Sequence, residues 1–157
     1  MSESAVLERY SQGAEEKQGA LCCPVDYDLS LLKLLPEEVI EKDYGCGDPS
    51  RYVKEGDVVL DLGSGSGKIC YMAAQLVGGK GQIIGIDMND DMLALARKYQ
   101  MDMAEKLGND RVSFRKGYIQ DLALNVDEME SWLAGHPVTD TASLAAFELW
   151  KQNQNFF

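Results

Sequence analysis

At 157 residues the chain is long enough for one domain with a buried core. Its formal net charge of -11 repels a phosphate backbone over about 10 Å at moderate salt, so nucleic acid is not an expected partner. No apolar run reaches the roughly 20 residues of a membrane helix, and residues 1–18 are polar and acidic without a secretory apolar stretch, so a cytoplasmic location is expected.

Residues 1–20 read as a polar helix or arm. Residues 29–40 carry Leu31, Leu32, Leu35, Val39 and Ile40 at helical spacing, interrupted by Pro36. The turn formers Tyr44-Gly45-Cys46-Gly47-Asp48-Pro49 then end any helix. From Val58 the period changes. Val58-Val59-Leu60-Asp61-Leu62 is a short apolar run that suits a buried parallel strand. Residues 68–77 predict a helix stopped by Gly78 and Gly79, 82–86 a second strand ended by Asp87, 90–107 a helix stopped by Gly108, and 111–115 a third strand. Strand and helix alternating in this way predict right-handed crossovers and a parallel sheet. Residues 127–134 and 141–151 read as helices. No fourth buried strand follows Phe114, so the half of a doubly wound sheet that lies beyond the first strand is missing.

The segment Asp61-Leu62-Gly63-Ser64-Gly65-Ser66-Gly67 links the first strand to its helix. Glycines let the backbone turn tightly there and approach a ligand with no Cβ in the way. Asp87, ending the next strand, stands where a carboxylate accepts both ribose hydroxyls of a nucleoside. Two cofactor classes use this geometry. A dinucleotide sets its pyrophosphate on the helix N-terminus, whereas S-adenosylmethionine carries no phosphate and presents an ammonium and a sulfonium. Asp61 decides between them, because a carboxylate beside the loop repels a pyrophosphate and attracts the amino acid end of S-adenosylmethionine. The end of the third strand borders the adenine in such sheets, so Ile119 is expected on the ring face and Gln120 or Asp121 at its exocyclic amine.

The four cysteines, Cys22, Cys23, Cys46 and Cys70, lack the paired spacing of a zinc site, and no metal site is expected. Cys70 falls inside the helix after the glycine loop and reads as packing. His136 precedes Pro137 in a loop and reads as a surface residue.

Taken together, Val58 to Gly67, then Val77-Gly78 and Gly81, then Ile84-Gly85-Ile86-Asp87-Met88 resemble the motifs of the class I S-adenosylmethionine-dependent methyltransferases. With Tyr44-Gly45-Cys46-Gly47 upstream, the chain is similar to the first half of the arsenite methyltransferases, over roughly residues 21–122. The resemblance implies a Rossmann-like sheet, incomplete here at three parallel strands. The elements read above divide the chain into a helical arm and Tyr-Gly-Cys-Gly loop over residues 1–50, a cofactor-binding core over 51–125 and a helical tail over 126–157, the last lying beyond the resemblance. The resemblance implies that Tyr44 closes over the methyl donor, that Asp61, Gly63, Ser64, Gly65, Gly67 and Asp87 hold it, and that Met88 flanks the adenine. It also implies that Cys46, with Cys23 or Cys22 upstream, provides thiol chemistry for trivalent arsenic. The family places two further arsenic-binding cysteines later in the chain, and none follows Cys70 here.

Trivalent arsenic is soft and prefers thiolates, and a thiolate-bound arsenic keeps a lone pair for attack on the sulfonium methyl. Such a transfer needs positioning more than acid-base help. Two functions are therefore expected to compete: a methyltransferase acting on arsenite or another small acceptor, and a non-catalytic module that binds the donor without a substrate half. A dinucleotide-linked enzyme is disfavoured by Asp61. The unpaired edge of the first strand would be covered by a tail helix or by a second copy in a homodimer.

Overall fold

The three apolar runs form one open sheet. Strands β1 (Val58–Leu62), β2 (Gln82–Asp87) and β3 (Val112–Lys116) lie in the order β1-β2-β3. They run parallel, with Asp61 opposite Gly85 and Leu62 opposite Ile86. The computed structural model describes residues 3–16, 26–45 and 47–153. It divides into two compact units, Met1–Arg115 and Lys116–Phe157.

In the first unit, helices α1 (Glu3–Glu15), α2 (Leu29–Leu32) and α3 (Glu37–Glu41) precede the sheet, and α4 (Lys68–Leu76) joins β1 to β2. The core centres on α4, where Cys70, Tyr71, Met72, Ala73 and Ala74 are all buried. Such a helix, apolar around most of its surface, fits only where it is covered on several sides. Here it packs on β1 and β2 and against α2 and the last helix of the unit. Phe114 of β3 meets the Tyr71 ring edge-on, with centroids 5.6 Å apart.

Two helices, α5 (Asp90–Lys98) and α6 (Gln100–Leu107), stand where the periodicity predicts one over 90–107. The backbone leaves helical geometry at Tyr99, with φ -103° and ψ 1°. The Tyr99 hydroxyl donates to Glu38 of α3, which ties the break to another element. α5 begins on an Asn89 cap with Asp90 and Asp91 in its first turn and ends with Arg97 and Lys98, charges that match the helix dipole. Gly108 stops α6 in the left-handed conformation.

Alternate side chains of β1 are exposed. Val58 is 68% exposed, and Leu60 and Leu62 are each 42% exposed. Among the described residues β1 pairs only with β2, so its outer edge is open.

In the second unit a tight turn, with Tyr118 and Asp121 bridged, leads to α7 (Val126–Gly135) and α8 (Thr141–Gln152). Asn125 caps α7 and Asp140 makes a capping box on α8. Trp132 is stacked between His136, at 4.4 Å, and Trp150, at 5.4 Å between centroids. Ion pairs Lys116–Glu130 and Lys151–Asp121, at 2.7 and 2.8 Å, complete this unit's framework. No helix among the described residues is long and apolar enough to cross a membrane.

Candidate functional site

The glycine loop between β1 and α4 has two different sides. Gly63, Gly65 and Gly67 all adopt positive φ, at 78°, 51° and 83°. A Cβ on Gly63 or Gly65 would meet no atom within 4 Å, so these two face open space. A Cβ on Gly67 would lie 2.7 Å from Phe114 Cζ. The first two glycines therefore leave a cradle, and the third lets the helix start pack on β3. Ser64 lies under the loop: it is 5% exposed, and its Cβ is 2.9 Å from the place of a Cβ on Gly85. Its hydroxyl has no hydrogen-bond partner among the described residues.

Four of the loop amides have acceptors within the protein. Gly63 and Ser64 N–H both donate to Ile86 O, at 2.8 and 3.0 Å, and Gly67 N–H donates to Ser64 O at 2.9 Å. Gly65 N–H donates to Asp87 Oδ2 at 2.8 Å. Asp87 Oδ1 accepts from Asn89 N–H at 2.9 Å, so both of its oxygens are anchored and each keeps a lone pair for another donor.

Three carboxylates gather at this end of the sheet. Asp61 accepts the Cys70 thiol at 3.2 Å. Burial pushes the Asp61 carboxyl above its ordinary pKa, the Cys70 contact opposes that shift, and the nearby charges of Asp43 and Asp87 add to it. Burial, and then the Asp61 charge, push the Cys70 thiol up in turn, so it stays a protonated donor and is no nucleophile. Asp43 forms a buried ion pair with Lys68, the first residue of α4, and accepts from Gly45 N–H at 3.0 Å. The Lys68 ammonium lies 3.6 Å from the centroid of the Tyr27 ring.

These features discriminate between ligands. A pyrophosphate needs free N–H groups and positive charge. Here the amides of Gly63, Ser64, Gly65 and Gly67 are paired, the adjacent ammonium is paired with Asp43, and the carboxyls of Asp61 and Asp87 stand beside the loop. A cationic, phosphate-free nucleoside needs room, carboxylates and hydroxyl acceptors, all of which this loop has.

The remaining expected residues are distributed unevenly. Tyr44 is buried, with its hydroxyl donating to Gly13 O of α1 at 2.9 Å and its ring edge-on to Tyr10. Met88 follows Asp87 and is half-buried. Ile119 and Gln120 are the central residues of the 118–121 turn in the second unit and are exposed. Cys23 and Cys46, like Cys22, lie outside the described residues. Asp43, Lys68 and Asn89 escaped the sequence reading. Asn89 carried a signal as a cap residue before a helix; Asp43 and Lys68 carried none, since nothing local shows that they meet.

An open parallel sheet with a glycine loop and an acidic second-strand end defines a class of nucleoside-binding transferase, and comparison with known proteins gives its family. Residues 53–147 match the family model of the methyltransferase domain, and the chain belongs to that family. It is similar to the arsenite methyltransferase of Aquipseudomonas alcaligenes, with 41% identity over 116 residues covering 71% of this chain and 34% of the relative. It is also similar to the arsenite methyltransferase of Homo sapiens, with 44% identity over 93 residues covering 58% of this chain and 25% of that protein. Among solved structures it is similar to an arsenic(III) S-adenosylmethionine methyltransferase from Chlamydomonas reinhardtii, at 42% identity and TM-score 0.56, covering 59% of this chain and 32% of that one. The chain thus spans about a third or less of the length of the curated relatives it matches.

Proposed function

We propose that the glycine loop binds S-adenosylmethionine and that the chain serves methyl transfer of the arsenite methyltransferase kind, to a thiol-bound trivalent arsenic or another small acceptor. The carrying observation is the loop itself: its outward side is open at Gly63 and Gly65, the amides of Gly63, Ser64, Gly65 and Gly67 are paired, and Asp61 and Asp87 stand beside it. When bound, S-adenosylmethionine supplies a methyl group activated by its sulfonium charge. Asp61 attracts that cation, and Cys70 orients the Asp61 carboxylate. Asp87, fixed by two backbone amides, accepts ribose hydroxyls. Gly63, Ser64, Gly65 and Gly67 shape the loop, with Tyr44 and Met88 as its neighbours. Ile119 and Gln120 are assigned to the adenine. Cys46 and Cys23 are assigned to the soft acceptor, as thiolates that hold arsenic and leave its lone pair for the methyl group.

A second reading is a module that binds the donor without completing transfer. It is favoured by the sheet, since after β3 the described residues form two helices and place no strand beside β1. A second copy pairing across that edge is the partner we assign, alongside the small acceptor.

Calorimetric titration with S-adenosylmethionine and with NAD tests the donor. Binding of the first alone supports the assignment, and binding of NAD alone overturns it. Asp87→Ala should weaken donor binding about tenfold, the scale of one charge-assisted hydrogen bond. Incubation with arsenite, thiol and labelled donor separates the two readings: label appearing on arsenic supports the enzyme, and donor binding without transfer supports the module.

A further inference from the structure

We propose that α1 is a wall of the donor site, joined to Asp87 through Asn89, which acts as a positioning residue. The inference rests on the donor assignment above. Asn89 is 3% exposed and touches three elements at once. Its backbone N–H holds Asp87 Oδ1 at 2.9 Å. Its side-chain oxygen caps α5 by accepting from Met92 N–H at 3.0 Å. Its amide nitrogen donates to Leu7 O and to Ser11 Oγ, both at 3.1 Å and both on α1. A primary amide has two donor hydrogens and one carbonyl, so this side chain is fully committed. Capping α5 alone would use only the oxygen. The amide half has no purpose there other than to hold α1.

A continuous chain of hydrogen bonds therefore runs from the glycine loop to α1: Gly65 to Asp87, Asp87 to Asn89, Asn89 to Leu7 and Ser11. The far end of α1 has a second anchor at the site, where Tyr44 donates to Gly13 O. Gly13 permits this approach, because a Cβ there would lie 2.7 Å from Tyr44 Cε2. Between these anchors α1 lies along α5 with its apolar side chains at most half-buried. Gly13 is its one buried residue among those whose burial is described, and a helix with so little apolar burial opens at low cost.

Coupling follows from the arrangement. A ligand whose hydroxyls bind Asp87 restricts that carboxylate, and through Asn89 it restricts the start of α5 and the helix docked there. By reciprocity, a docked α1 raises the affinity for the ligand by the same factor that the ligand favours docking. α1 and Tyr44 then shut the donor site from one side.

Hydrogen exchange of residues 5–15 with and without S-adenosylhomocysteine tests this in the full chain. The native protein should show α1 exchange slowed by the ligand, on the order of tenfold, a typical size for coupling between sites. Asn89→Ser keeps an oxygen to cap α5 and removes the amide. It should lose the slowing in α1, keep protection in α5 and bind the ligand several-fold more weakly. Ser11→Ala, on the surface helix itself, should lose part of the slowing and guards against a misfolded Asn89 variant. Binding of S-adenosylhomocysteine with no change in α1, or undiminished slowing in both variants, overturns the coupling alone. No binding by the native chain overturns the donor assignment and the coupling with it.

Discussion

Asp61 shows what the site costs the fold. Its carboxyl is buried and stands near Asp43 and Asp87, so the folded chain holds its proton more tightly than the unfolded chain does. A group with a raised folded pKa supports folding only at pH below its ordinary value, and that support disappears as pH rises through the folded value. At neutral pH Asp61 opposes folding. Asp61→Asn should therefore raise the melting temperature by a few degrees at pH 7, with the gain vanishing toward pH 3, while weakening donor binding tenfold or more. Thermal melts across pH, paired with calorimetry, check both halves; a destabilised variant would mean the carboxylate is structural. Glu38 behaves in the opposite way. Contacts with Lys98, Tyr99 and Lys42 bring its pKa from the ordinary 4.5 down to about 2. Its contribution is present above pH 4.5 and is lost as pH falls toward 2. Glu38→Gln should cost about 1 kcal/mol at neutral pH, because these pairs are partly solvated, and should flatten the acid limb of a denaturation profile.

At the scale of elements, the contact of β2 with α4 depends on a missing side chain. A Cβ on Gly85 would lie 2.7 Å from Phe114 Cδ1, 2.9 Å from Cys70 Sγ and 2.9 Å from Ser64 Cβ. Three elements converge there, so no single side chain can move aside. Gly85→Ala should cost about 1–3 kcal/mol by overpacking, read as a lower denaturant midpoint. Gly63→Ala is the contrast, since its Cβ meets nothing and the cost is its positive φ alone. The motif Gly63-Ser64-Gly65-Ser66-Gly67 looks uniform as a string. In the fold its positions divide into open and packed ones, because the loop turns its first two glycines outward and its third toward Phe114.

At the scale of the whole molecule, the exposed apolar side chains of β1 bear on behaviour in solution. Edge strands are usually guarded by charge, proline or a bulge, and the exposed side chains Val58, Leu60 and Leu62 are all apolar. Self-association across this edge is opposed by the charge of -11 on each copy. Sedimentation should thus show association that grows with protein concentration and with salt, as screening removes the repulsion. Leu60→Lys should suppress it with the melting temperature unchanged. Salt-independent monomers would argue against an interface at this edge.

The sequence alone was enough for the alternation of strands and helices after Val58, apart from the break within 90–107, and for the glycine loop, the acidic end of β2 and the class of ligand, since each follows from local rules: a short apolar run, glycines where a backbone must turn, a carboxylate where a cation must be met. It also carried the three parallel strands that the described residues form. What only the tertiary structure decided are the pairings between distant positions. Asp43 meets Lys68, Asn89 reaches Leu7 and Ser11, Tyr44 bonds to Gly13, Cys70 donates to Asp61, and the helix expected over 90–107 breaks at Tyr99, whose hydroxyl meets Glu38. Hydrogen bonds and ion pairs act over a few ångströms in space and leave no periodicity along a chain, so only folding brings their partners into view.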